Sequence, residues 1–111
     1  VIIAHLALTQ RARAKQLSYL AGLVTKGSDS LLLGDLNCEH HELNGNAGIV
    51  AASLRPLHSQ HTFPSWAPAR ALDHMLASPS VEVTRAMVLD ERLSDHLPVA
   101  SEIRLRLASP L

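Results

Sequence analysis

The stretch Leu31-Leu32-Leu33-Gly34-Asp35-Leu36-Asn37 decides how this chain of 111 residues is read. A short apolar run preceded by the Ser28-Asp29-Ser30 turn and followed by polar residues fits a buried strand. Periodicity alone leaves a piece of buried helix open, and the brevity of the run and the break at Gly34 favour the strand. Residues two apart on a strand share a face. Asp35 and Asn37 are therefore expected to project together at the strand's end, while Leu36 turns back into the core.

Outward from this strand, the chain alternates elements. Val1 to Leu8 is apolar and β-branched at its start, and it reads as a strand buried on both faces, with His5 on the face of Val1 and Ile3. Thr9 suits an N-cap, and Leu17, Leu20, Ala21 and Val24 follow helical spacing to an expected end near Lys26, with Gly27 beyond it. A helix between two buried strands makes a parallel crossover unit. After Asn37 the sequence predicts a polar loop with a short helix around Gly48 to Ser53, then a short strand from Leu54 to His58. His61 to Pro68 holds two prolines, which excludes a central strand and leaves a structured loop carrying Phe63 and Trp66. Ala71 to Ala77 is a strand with Ala71, Asp73 and Met75 on one face and Leu72, His74 and Leu76 on the other. Val81 to Leu89 and Leu97 to Leu107 read as further strands, separated by the Asp90 to His96 loop. The class is α/β, a mixed β-sheet with flanking helices.

Composition bounds the partners. A content of 47% hydrophobic and 18% charged residues is ample for the core of one domain and excludes a disordered tail. Ten basic and ten acidic residues cancel, so net charge predicts no general attraction to nucleic acid or anionic membrane. The sign nevertheless changes at the Leu31 strand: residues 1–28 carry Arg11, Arg13, Lys15 and Lys26 without an acid, and residues 29–42 carry Asp29, Asp35, Glu39 and Glu42 without a base. The single cysteine, Cys38, rules out a disulfide within the chain and agrees with a cytoplasmic protein. No run approaches the roughly 18 apolar residues of a membrane span. The chain opens at Val1 directly in strand-like sequence, the pattern of a piece of a longer protein.

Three polar features stand at strand ends or in loops: Asp73 on an otherwise apolar strand, Asp95-His96 between Ser94 and Leu97-Pro98, and His5 within the first strand. A carboxylate in such a place must pair, hydrogen-bond or hold a metal, because an isolated buried charge is costly. Bland alternatives stand beside each. Asp35 and Asn37 are common turn residues, His5 could be a satisfied core residue, and Cys38, His40 and His41 with His58 and His61 could hold zinc, although their spacing matches no standard finger. Asp73 cannot simply partner Arg70, since residues three apart on a strand face opposite ways. His74 faces away from Asp73 and is expected to pack. Phe63 and Trp66 could stack a base, cover a lipid or pin their loop.

Taken in order, Ala4-His5-Leu6, Gly34-Asp35-Leu36-Asn37, Arg70-Ala71-Leu72-Asp73-His74-Met75-Leu76 and Ser94-Asp95-His96-Leu97-Pro98-Val99 resemble the C-terminal half of the endonuclease/exonuclease/phosphatase (DNase I-like) superfamily. Arg13 and Gln16 resemble a recurrent helix pattern of that family, and Thr62-Phe63-Pro64-Ser65-Trp66 is most similar to its small bacterial members. The resemblance implies a four-layer α/β sandwich of which residues 1–111 supply the C-terminal half as a partial domain, with a metal-binding Glu and an early Asn in an N-terminal half absent from this sequence. It implies Mg²⁺, with Mn²⁺ as a substitute, and water attack on a phosphodiester. Asp35 would orient or deprotonate the water and share the metal with Asp95, Asn37 would bond the scissile phosphate, His96 would donate to a non-bridging oxygen with Asp73 holding its other nitrogen, and His5 would approach the phosphate. The implied substrates are nucleic acid, a phospholipid headgroup or a small phosphoester. Two rivals remain: a phosphomonoesterase of the same fold, and a truncated, non-catalytic chain that assembles with a partner or as an oligomer through its exposed sheet.

Overall fold

A computed structural model describes residues 1–105 of the chain. The elements are β1 (Ile2–His5), α1 (Gln10–Gly22), β2 (Leu31–Asp35), α2 (His40–Gly45), α3 (Ala47–Ala51), β3 (Arg55–Pro56), β4 (Asp73–Ala77), β5 (Glu82–Val88) and β6 (Val99–Arg104). Four strands form a mixed sheet in the order β1-β2-β4-β3, and β5 and β6 pair as a separate hairpin. β1 and β2 run parallel through the α1 crossover, whereas β4 runs antiparallel to both β2 and β3. The later strands were expected to mix the sheet, and it is β4 and β3 that do so.

The crossover forms as its sequence dictates. The Thr9 hydroxyl accepts from Ala12 N–H and caps α1, and Leu17 and Ala21 are buried on its inner face. The helix ends at Gly22 rather than near Lys26, with Leu23 closing it through bonds to the Ala21 and Leu20 carbonyls, and Gly27 sits at φ +83 in the turn that follows. One core cluster lies between the sheet and its helices, built around Leu6, Leu17, Leu32, Leu36, Leu43 and Leu76.

Three expectations are corrected. β1 is an edge strand with one covered face: Ile2 and Ala4 pack toward the core, while Val1 and Ile3 are 84% and 77% exposed. A uniformly apolar segment cannot report that only one side has a neighbour. An additional helix, α2, precedes the expected short one, capped at Glu39 without a side-chain bond and burying only Leu43. In the hairpin, the register shifts between Val83 and Arg85, and Ile103 and Leu105 are partly exposed, so strict alternation is lost. The expected extension of β6 to Leu107 lies outside the described residues. No helix among the described residues is long and apolar enough to cross a membrane.

Gly34 explains how closely β1 and β2 run. Its φ is +140, and a Cβ there would lie 1.9 Å from the Ala4 carbonyl oxygen. Only glycine combines that backbone with that approach.

Candidate active site

Strand register assembles the polar residues before any side chain is considered. His5 is the register partner of Asp35 across β1 and β2, and Asp35 is the partner of Asp73 across β2 and β4. Three of the candidate side chains thus form a row over three neighbouring strands, on the face opposite the helices. His96 closes the row from the loop before β6.

That loop is held in place by the segment that precedes β4. Leu97 N–H donates to the Thr62 carbonyl at 2.8 Å, Ser65 N–H donates to the Asp95 carbonyl at 2.8 Å, and the Ser65 hydroxyl donates to the Ser94 carbonyl at 2.7 Å. The Phe63 ring lies 4.7 Å from the His96 ring. His96 Nδ1 donates to Asp73 Oδ2 at 2.7 Å, which turns Nε2 outward to within 3.7 Å of Asp35 Oδ2. Burial opposes a charge on His96, but the hydrogen bond to Asp73 and the charges of Asp73, Asp35 and Asp95 outweigh it and raise its pKa above the ordinary 6.5. The site thus stabilises the imidazolium of His96 relative to that of an ordinary histidine.

Asp73 Oδ2 is bonded twice, because the Thr62 hydroxyl also donates to it at 2.6 Å. Thr62 is fully buried, and its oxygen accepts from Leu72 and Asp73 N–H. Sequence reasoning missed this residue. A threonine before Phe63-Pro64 reads as loop, and nothing local indicates that the loop folds back onto its own strand.

His5 is a site-face residue, not a core one: its side chain is 76% exposed, with Nε2 3.5 Å from Asp35 Oδ2. Asn37 departs from the strand geometry expected of it. β2 ends at Asp35, and Asn37 takes the left-handed region at φ 52, a conformation that Asn tolerates. Its backbone N–H caps Asp35 Oδ1 at 3.0 Å and its Nδ2 donates to the Leu6 carbonyl at 2.7 Å. An amide nitrogen carries two donors, so one is left for a ligand. Asp95 is exposed on the loop and is not drawn into the row.

Among the described residues, Asp35, Asp73 and His96 bring ligand atoms within 4.8 Å of one another, and the cysteine and remaining histidines form no such group. The zinc alternative therefore fails. Cys38 is buried and its thiol is pushed up to about 12, first by burial and then by Glu42, so it stays protonated. His40 and His58 meet His74, not His41 or His61, with ring centroids 5.0 Å and 5.7 Å from that of His74. His74 Nε2 donates to the Cys38 carbonyl at 2.7 Å, as a packed histidine should.

A second tie braces the site from behind. Arg13 forms a two-pronged pair with Glu42 at 2.7 Å and 2.8 Å and donates to the Ala7 and Leu8 carbonyls. The loop after His5 is thereby fastened to the helix after Asn37. Hydrogen bonding to Arg13 lowers the Glu42 pKa despite burial.

The sequence pattern of the Endonuclease/Exonuclease/phosphatase family matches residues 4–96, and the chain belongs to that family. A comparison with curated proteins found no match. The fold is similar to that of the mannosyl-6-phosphatase Bt3783 of Bacteroides thetaiotaomicron, with a TM-score of 0.74 at 20% identity over 93% of this chain and 50% of that one. An endonuclease/exonuclease/phosphatase from Beutenbergia cavernae gives 0.70 at 24% identity, over 91% of this chain and 34% of that one. Humanized D. rerio TDP2 gives 0.73 at 18% identity, over 92% and 53%. Each likeness shows the fold, and the chain spans about half the length of the first of these structures.

Proposed function

We propose that the protein to which this chain belongs is a divalent-metal-dependent phosphoesterase that cleaves a phosphodiester by attack of water. The carrying observation is the row His5, Asp35 and Asp73 closed by His96, with Asp73 on Nδ1 and Nε2 directed toward Asp35. Phosphoryl transfer asks mainly for positioning and for neutralising spreading negative charge. In this reading Asp35 orients or deprotonates the water, the remaining Asn37 donor meets the phosphate, and His96 donates from Nε2 to a non-bridging oxygen. Asp73 fixes the tautomer, and His5 lines the approach.

Asp35 suits one ligand of a hard cation such as Mg²⁺ or Mn²⁺. Among the described residues its Oδ2 meets two imidazole edges, at 3.5 Å and 3.7 Å, beyond hydrogen-bond length, which leaves lone pairs open. Asp73 Oδ2 is already occupied by Thr62 and His96, and Asp95 is the second candidate carboxylate. When bound, the ion supplies charge neutralisation at the phosphoryl oxygens. Further ligands would come from the other half of the domain, which would also cover the exposed face of β1.

A phosphomonoesterase of the same fold is the second reading. The arginines of the loops flanking the row are paired, Arg70 with Glu39 at 3.8 Å and Arg92 with Asp90 at 3.9 Å. Among the described residues, imidazole stands beside the carboxylates. In the full-length protein with Mg²⁺, Asp35→Ala and His96→Ala are expected to abolish hydrolysis of bis(4-nitrophenyl) phosphate. Asn37→Ala is expected to lower it on the order of 10²–10³-fold, the usual cost of one donor. Undiminished turnover by Asp35→Ala in EDTA would overturn the reading, and a preference for 4-nitrophenyl phosphate would favour the monoesterase. Inactivity of the full-length protein toward both esters, together with self-association, would favour the non-catalytic assembly.

A further inference from the structure

Asn37 belongs to a closed ring of bonds that leaves the site and returns to it. Its Nδ2 donates to the Leu6 carbonyl at 2.7 Å, and Leu6 N–H donates to the Asp35 carbonyl at 3.0 Å, so the end of β2 grips Leu6 from both sides. The next two residues are held by α1. Gln16 Oε1 accepts from Ala7 N–H at 2.9 Å, and Arg13 Nη1 donates to the Ala7 and Leu8 carbonyls at 3.3 Å and 2.7 Å. Arg13 Nε and Nη2 then donate to the two Glu42 oxygens at 2.7 Å and 2.8 Å, and Glu42 lies on α2, the helix that follows Asn37. Cys38, between Asn37 and that helix, is buried, and its thiol joins Arg13 in holding the Glu42 carboxylate below the usual range. The ring runs from Asn37 through Leu6, Arg13 and Glu42 and back along α2.

An amide group is planar, so once one Nδ2 hydrogen is committed to the Leu6 carbonyl, the direction of the other follows from where that carbonyl stands. The Asn37 backbone is fixed separately, by its bond to the Asp35 carboxylate. The Arg13 and Glu42 side chains are only 11% and 15% exposed. A desolvated ion pair is weak evidence for stability, because apolar residues of similar size often serve as well. What apolar residues cannot do is bond the Ala7 and Leu8 carbonyls and fork onto a carboxylate at the same time. The use of this pair is therefore geometric.

Resting on the role given to Asn37 in the phosphoesterase reading, we propose that Arg13 and Glu42 are positioning residues that aim the free Asn37 amide hydrogen at the phosphate. They touch neither substrate nor metal, and they act on the rate through Leu6 and α2.

The test uses the full-length protein with Mg²⁺. The Asn37 side-chain amide signal, identified in the NMR spectrum by its absence from Asn37→Ala, is expected to shift in Glu42→Gln, which breaks one prong of the pair. Turnover of bis(4-nitrophenyl) phosphate by Glu42→Gln should fall about 10–10²-fold with KM little changed, the upper figure being the cost of an ångström of misplacement. In the Asn37→Ala background the same substitution should lower turnover little further, because residues that act as one unit are not additive. Replacing both partners, Arg13→Met with Glu42→Leu, separates aim from packing: the melting temperature is expected to hold, and turnover to fall at least as far as in Glu42→Gln. Wild-type turnover in that double variant, full additivity with Asn37→Ala, or an Asn37 amide signal unmoved by Glu42→Gln overturns the proposal. The two readings fail differently. An amide signal that moves in Glu42→Gln, in a protein whose wild type hydrolyses neither this diester nor 4-nitrophenyl phosphate, sinks the phosphoesterase reading alone, and turnover that ignores Glu42→Gln sinks the positioning alone.

Discussion

The two faces of β4 treat histidine in opposite ways. On one face His96 meets Asp73, lies near Asp35 and is held toward its cation. On the other, one residue along the chain, His74 stacks with His58 and meets His40 edge-on, and each of the three donates from Nε2 to a backbone carbonyl. His58 Nδ1 accepts from Gln60 N–H, which fixes its neutral tautomer. His74 Nδ1 is buried without a hydrogen-bond partner among the described residues. Burial leads the lowering of both His58 and His74 below the ordinary 6.5. Neighbouring carboxylates raise His96, and burial lowers His58 and His74 even against carbonyl bonds that favour the proton; the residue type alone decides neither.

The contrast can be attacked most strongly at Asp73. Asp73→Asn removes the charge that holds His96 and should bring its pKa, followed by NMR titration of the ring, down toward that of an ordinary imidazole. Turnover should fall on the order of 10²–10⁴-fold, the range for loss of a positioned acid–base group. A His96 pKa that stays raised in that variant would mean that Asp35 and Asp95 suffice, and the comparison would fail. Thr62→Val is expected next in size. It strips Asp73 of its 2.6 Å donor and leaves the Leu72 and Asp73 N–H groups without their acceptor. Denaturant titration should register a loss of about 1–3 kcal/mol, the cost of buried groups left unsatisfied.

The smallest effect belongs to the other face. Because the folded pKa values of His58 and His74 lie below the unfolded value, both states are neutral above pH 6.5 and the stability is whole there. As pH falls below 6.5 the unfolded chain takes up protons that the folded chain resists, so stability declines. His74→Gln keeps a donor for the Cys38 carbonyl and removes the titration. Its unfolding free energy should therefore decline less steeply with acid than that of the wild type, and an unchanged slope would show that His74 is not part of the acid limb.

Much of the site was legible because strand periodicity is strict. Leu36 in the core, Asp73 and His74 on opposite faces, and the crossover from β1 through α1 to β2 all follow from local spacing. What local spacing does not carry is who the neighbour is. It placed Asn37 on the face of Asp35, although the strand ends before it and its backbone turns left-handed. It could not bring His40, His58 and His74 together, since they come from a helix, a loop and a strand. Nor could it foresee α2, whose HHELNG sequence buries one leucine and shows no apolar period. Arg13 was recognisable only as part of a family pattern, and its pairing with Glu42 spans 29 residues.

Gly34 is where the two faces communicate. It sits on the core side, yet the atom it lacks is what allows the Ala4 carbonyl to come so near. Any larger residue would have to push β1 aside, and His5, the next residue after Ala4, would travel with it away from Asp35. A mutation on the core side would then widen the gap between the His5 and Asp35 side chains on the other face. The spacing of the His5, Asp35 and Asp73 row is set from behind, by a missing carbon atom.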